Sequence, residues 1–335
     1  MKLNSMVGNP MINEIETLIA IEQLIQEVSQ TLDSSGGCLT QRRNEKKLRA
    51  YARRGCDLIP AFRQLISQDI QLMFPINCFM RVLDIAKRIN LKYGLSENDI
   101  PYTDQYIEIC EAMHAFPAAY HKDQLRFYNQ ECENRCVLEE YLHNLIHKHC
   151  KTLWVRVELK YFSDSLDEIS ILDVDRHFKA FRKRISDKDT CFRDLVGYVW
   201  ALEQGGETGA YHVHLLLIYN GSLRKGEWKI GSEVCALWEN MTEGLGKAYS
   251  LQDSRHRESY QKAGRDGLGL VRREDGMKVE NAIRLALYFT KPEKYEQRLR
   301  IKVPRMRTFA CGQFKLSRYM LRQSRIDLDD VELPF

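Results

Sequence analysis

The first chemical signal lies in four consecutive residues, Tyr211, His212, Val213 and His214. The two-residue period of an extended strand places both imidazoles on one face, about 7 Å apart along the backbone and able to converge on one ion. Leu215, Leu216, Leu217 and Ile218 follow without a polar residue, the pattern of a central strand covered on both faces, where uncharged imidazoles need a partner or a ligand. Alone, such a pair also describes two ordinary histidines. Glu203 changes the reading, because it ends the preceding strand nine residues upstream of His212 and an antiparallel hairpin can bring its carboxylate beside the rings. Glu207 competes as the third ligand, nearer in sequence but inside the turn. Two imidazoles and one carboxylate leave open positions on six-coordinate Mg²⁺ or Mn²⁺, and the nitrogen donors suit Mn²⁺.

A second set follows at Tyr288, Phe289, Thr290 and Lys291. On a helix, positions i and i+3 share a face, so the Tyr288 phenol and the Lys291 ammonium can address one phosphate, with Arg284 a turn earlier. A phenol has an ordinary pKa of about 10. As a nucleophile it needs a nearby cation to favour phenolate, and Lys291 or a metal can provide it. Such an attack is phosphoryl transfer through a covalent intermediate.

These residues must be carried by two kinds of chain. Through about residue 149, apolar positions recur at helical intervals, as in Leu18, Ile21, Leu24, Ile25 and Val28, and strand signals are nearly absent. Near Lys151 the period changes to alternation, with Leu153, Val155, Val157 and Leu159 on one face and Trp154, Arg156, Glu158 and Lys160 on the other. A helix is expected at about 173–186, strands at 195–203 and 210–218 around a Gly-containing turn, and a helix capped by Ser232 and running through Trp238. The stretch 250–275 reads as a long loop with a short strand at 269–272. Lys278–Thr290 reads as a helix ending before Pro292. The expected class is α+β, an antiparallel sheet with helices packed on it, preceded by an all-helical N-terminal region. Its parts would be 1–149, an accessory DNA- or partner-binding region, 150–320, the catalytic unit, and a tail, 321–335.

The 335 residues hold 50 Lys and Arg against 46 Asp and Glu, a weak overall balance that conceals a cationic segment. Twelve Lys or Arg lie between Arg284 and Arg325, against Glu293 and Glu296 alone, which favours a polyanion. Lys294, Arg298, Arg305 and Arg307 are its candidate DNA contacts beside Arg284, with Phe309, Phe314 or Tyr319 available for base stacking. No apolar run approaches the roughly 20 residues that span a bilayer, and no basic-then-apolar leader opens the chain; a cytoplasmic location without a membrane partner is expected. The ten cysteines form no CxxC pair and read as reduced, mostly buried thiols. Cys132, Cys136, His143, His147, His149 and Cys150 share helical spacing, which an amphipathic helix produces without binding zinc. No GxxxxGK[ST] occurs, so unwinding would need a host helicase.

The carboxylate, the HxH pair and the later YxxK together resemble the HUH-type rolling-circle replication initiators. Over about 151–315 the closest likeness is to the inovirus gene II product-like group, also called the YagK/YfjJ C-terminal domain family, through YVWALEQGGETGAYHVHLLLIYNG, IGSEVCALWEN, YFTKPEKY and RTFACGQ. The resemblance implies metal ligation by His212, His214 and Glu203, with Tyr288 the nucleophile and Lys291 the motif lysine. It implies nicking of single-stranded or hairpin origin DNA, leaving a 5′-phosphotyrosyl link and a 3′-OH that a host polymerase extends. Some members use two tyrosines on one helix; here Pro292 stands between Tyr288 and Tyr295. Relaxases and single-strand transposases share the chemistry but more often show three histidines and an N-terminal tyrosine. A regulator that binds DNA without cutting it is the alternative from another class.

Overall fold

The structure is a computed structural model and describes residues 13–34, 42–94, 105–206, 208–252 and 254–313. The chain opens with α1 (Glu14–Ser34), α2 (Arg42–Ile66), a two-residue strand β1 (Gln71–Leu72), α3 (Met80–Tyr93), α4 (Tyr106–Met113) and the 32-residue α5 (Pro117–Lys148). Leu18, Ile21, Leu24, Ile25 and Val28 are all fully buried, as their helical spacing requires. α5 has Pro117 in its first turn, where a missing N–H costs nothing.

Then come β2 (Lys151–Tyr161), α6 (Ile171–Asp187), β3 (Leu195–Gln204), β4 (Tyr211–Asn220), α7 (Glu227–Met241), β5 (Gly246–Ser250), α8 (Ser254–Lys262), β6 (Gly269–Arg272), α9 (Gly276–Leu287), β7 (Ile301–Lys302) and β8 (Phe309–Cys311). The main sheet has the order β5-β2-β4-β3-β8, with β6 also paired to β2. Every pairing is antiparallel. The α+β class expected from the pattern is therefore the observed one, but the region expected to be all helical also holds β1, whose two residues pair with β7. No helix among the described residues is long and apolar enough to cross a membrane.

Both faces of the sheet are covered. Leu153, Val155, Val157, Leu159, Val213, Leu215 and Leu217 join a core that also holds the buried residues of α1–α4, α6 and α7. On the opposite face, Trp154, Val199, Ala201, Leu216 and Ile218 pack against Leu138, Leu142 and Leu145 of α5 and Ala282, Ile283 and Ala286 of α9. The boundary expected at 149/150 falls between α5 and β2, yet α5 is a layer on the sheet. α9 is set close by Gly267, where an added Cβ would stand 2.5 Å from the Asn281 carbonyl oxygen.

Several boundaries differ from those expected. α7 starts at Glu227, so Ser232 lies inside it. The stretch read as a long loop carries the end of β5 and α8 besides the expected β6; α8, with no apolar stripe to betray it, is Arg- and Ser-rich. The α-helix expected through Thr290 ends at Leu287, and Tyr288–Thr290 form a 3₁₀ turn. Lys291 is extended at φ −85°, ψ 117°, as a residue before proline prefers. Of the nine described cysteines, Cys56, Cys110 and Cys191 are buried and the other six are partly or fully exposed, all unbridged; they are not mostly buried.

Candidate metal centre and its tyrosine

Strand register assembles the centre. Glu203 of β3 stands directly opposite His212 of β4, and His214, two residues along, faces Ala201 on one side and Glu158 of β2 on the other. Directly opposed residues project to the same face, so Glu203, His212, His214 and Glu158 form one polar patch in the layer beneath α9. His214 Nε2 is 3.2 Å from Glu203 Oε2, and His212 Nε2 is 3.4 Å from the same oxygen. One donor atom from each of these three residues lies within 4.8 Å of the other two.

This donor set fits a divalent cation. Adjacent ligands on a six-coordinate ion with bonds near 2.1 Å stand about 3 Å apart, and two imidazoles with one carboxylate are a mixed nitrogen and oxygen donor set that divalent metals accept. Among the described residues no other group of three or more His, Cys, Asp or Glu side chains has this closeness, the Cys132–Cys150 cluster included. Glu207, the competing third ligand, lies outside the described residues.

The electrostatics keep the patch charged although it is buried. Burial works to raise the Glu203 carboxyl, but hydrogen bonds from His212 and His214 and the positive charge of Lys294 hold it below the usual carboxylate range. Glu158 is likewise pushed up by burial and drawn lower overall by His214, the Tyr249 hydroxyl and Lys160. Tyr249, opposite Glu158 on β5, donates to Glu158 Oε2, and Lys160 Nζ donates to the Tyr249 oxygen at 2.9 Å. His214 Nδ1 is 3.3 Å from Glu158 Oε1 without hydrogen-bond alignment, and is otherwise a buried nitrogen with no hydrogen-bond partner. A small ring rotation would give it one, and that bond would fix which nitrogen faces the ion.

Tyr288 meets this patch from the end of α9. Its ring centroid is 6.0 Å from that of His214. Three cations surround the ring: Lys294 Nζ at 4.0 Å from the centroid, Lys291 Nζ at 4.6 Å and the Arg156 guanidinium at 5.2 Å. The phenol nevertheless has its pKa raised, by burial first and by the Glu203 charge second, with Arg156 opposing. Phenolate is thus not favoured by the protein alone. The YxxK pair does converge, across a 3₁₀ turn rather than along an α-helix.

Lys294 was expected to contact DNA from the surface. It is instead a half-buried member of the centre, donating to Glu203 Oε1 at 2.7 Å, and burial depresses its pKa. Arg298 pairs with Glu22 of α1 at 3.2 Å and stacks on Tyr295. Arg284 is exposed and pairs with Glu280 at 2.6 Å, while Arg305 and Arg307 are exposed. Tyr295 is buried and donates to Asp123 of α5 at 2.7 Å. Phe309 is partly buried; Phe314, Tyr319 and the cationic run beyond 313 lie outside the described residues.

Glu158, Arg156 and Tyr249 carried no site role in the sequence reading. Alternation along β2 already placed Arg156 and Glu158 on one face, but only the β2–β4 register shows that this face is the one bearing the histidines. No protein-family model, curated protein or solved structure matches this chain.

Proposed function

We propose that this chain is an HUH-type replication initiator, a metal-dependent endonuclease that nicks one strand of origin DNA through Tyr288. The observation that supports it most is that the phenol ring lies against His214, the inner member of a metal-competent triad, beneath three cations. An ordinary structural tyrosine does not require that company.

Glu203, His212 and His214 would hold Mg²⁺ or Mn²⁺, which when bound supplies Lewis-acid polarisation of the scissile phosphate. The chain's own residues do the rest. Tyr288 Oη attacks phosphorus, the P–O3′ bond breaks, the departing 3′ oxygen takes up a proton, and the phenol proton passes to solvent. Bond energy is retained in a 5′-phosphotyrosyl link, so rejoining needs no external energy source. Arg156, Lys291 and Lys294 offset charge that builds at the transferring phosphate, and burial strengthens the contribution of Arg156 and Lys294. Glu158 would orient His214 once the ring turns to bring Nδ1 into line with its carboxylate. The substrate would be a single-stranded or extruded segment, since duplex stacking keeps a scissile phosphate from entering so enclosed a centre. Host helicase and polymerase would act on the product.

The test uses purified full-length protein, Mn²⁺ and single-stranded origin DNA on a denaturing gel. Wild type gives a slow-migrating covalent species and Tyr288→Phe gives none. Equal adduct from both rejects Tyr288 as the nucleophile. Specific binding without cleavage by either protein supports a DNA-binding regulator.

A further inference from the structure

A cavity of about 300 Å³ opens beside the centre, between α5 and the chain that follows Tyr288. It shares Glu203, Lys291 and Lys294 with the site already described, so a group seated there lies next to whatever Tyr288 attacks. The volume is at the lower end of small-ligand pockets. Its composition is mixed: Phe127 of α5 and Phe309 present partly exposed aromatic surface and the buried Phe289 lies behind them, while Arg126, Glu131 and Lys302 supply charges of both signs.

These polar groups are not consumed by the fold. Glu131 accepts one hydrogen bond, from Asn134 Nδ2 at 3.1 Å to its Oε1, which leaves its other oxygen available. Lys302 is half-buried and, among the described residues, makes no hydrogen bond or ion pair through its ammonium. Arg126 is exposed at the α5 wall. Flat aromatic rings beside unspent donors and acceptors are what an unstacked base needs, because its faces stack while its edge hydrogen-bonds.

We propose that this cavity receives a nucleobase of the nicked strand, flanking the scissile phosphate, and that its lining selects guanine. Guanine offers acceptors at O6 and N7, which Arg and Lys recognise, and donors at N1 and N2, which the free Glu131 oxygen can accept. Adenine reverses donor and acceptor along that edge, and the pyrimidines fill less of the space. The N-terminal helical region would then take part in reading the origin through α5.

The inference rests on the nickase reading for its substrate, but its test does not need cleavage. Tyr288→Phe protein without divalent cation is titrated with a labelled oligothymidylate and with the same oligomer carrying one central dG, dA or dC, read by fluorescence anisotropy. The dG oligomer binds about tenfold tighter than the others, the size of one good base-edge recognition. Glu131→Gln and Lys302→Met, each near-isosteric and checked for folding by circular dichroism, abolish that preference. Equal affinity for all four oligomers, or a dG preference that survives both substitutions, overturns the proposal. An arm with free dGMP as competitor separates a base of the strand from a free nucleotide: displacement by dGMP at concentrations below those of the dG oligomer overturns the strand assignment. Preference without nicking by wild type sinks the nickase and leaves the pocket; nicking without preference sinks the pocket alone.

Discussion

Lys294 is the residue whose role differs most from its sequence expectation. Its Nζ lies 2.7 Å from Glu203 Oε1 and 4.0 Å from the Tyr288 ring centroid, so one cation neutralises the carboxylate proposed as a metal ligand and covers the proposed nucleophile. These two functions pull metal affinity and chemistry in opposite directions. Lys294→Met removes a positive charge that competes with the ion for Glu203, so Mn²⁺ affinity measured by calorimetry is equal to or greater than that of wild type. Nicking falls by about a hundredfold, the scale of losing one preorganised charge at a transferring phosphate. A parallel loss of both would show that Lys294 only props up the fold. At this scale the ligand residues were legible because HxH at strand spacing is a local fact. Glu158 and Lys294 were not, since one depends on strand register and the other on how the chain turns after Pro292.

Among elements, the junction of α1, β4 and α6 holds the strand that bears the histidines. Glu14, at the start of α1, accepts from the Tyr211 hydroxyl at 2.8 Å and from the Ile171 backbone N–H at 2.8 Å. Burial is the main reason its carboxyl is raised from 4.5 to about 7. A raised acid holds its proton more tightly in the folded chain, so there is no penalty below pH 4.5, a growing one between 4.5 and about 7, and a constant one above. The displacement corresponds to about 3 kcal/mol at full ionisation. Urea denaturation of wild type and Glu14→Gln at about pH 4 and about pH 8 therefore gives a stability difference that shifts by about 3 kcal/mol in favour of the variant at the higher pH. An unchanged difference would mean that Glu14 is hydrated or already paired. Alternation exposed β2, apolar runs on either side of a glycine-containing turn exposed β3 and β4, and helical spacing of buried residues exposed α6. These patterns missed α8, whose residues from Glu258 to Lys262 are exposed, and they overran the end of α9, where the 3₁₀ turn has no distinctive composition.

For the whole molecule, the mostly helical N-terminal region is built into the half that carries the main sheet. Arg300 is buried and donates to Glu22 of α1 at 2.6 Å, with further contacts to the Gly205 and Gly206 carbonyls just past Glu203. β1 pairs with β7, and α5 lies across the chain that carries Lys291 and Lys294. Sequence alone showed two regions of different period but not that they share a core, because such packing joins residues hundreds of positions apart. The central claim is that these distant segments make Tyr288 a nucleophile at a metal centre. It is tested most directly by digesting the covalent product formed with Mn²⁺ and single-stranded origin DNA, then locating the nucleotide by mass spectrometry. The expected product is a 5′-linked nucleotide on Tyr288, absent when His212 and His214 are both replaced by alanine. Attachment to any other residue, or an undiminished Tyr288 adduct in the double-alanine protein, would contradict it.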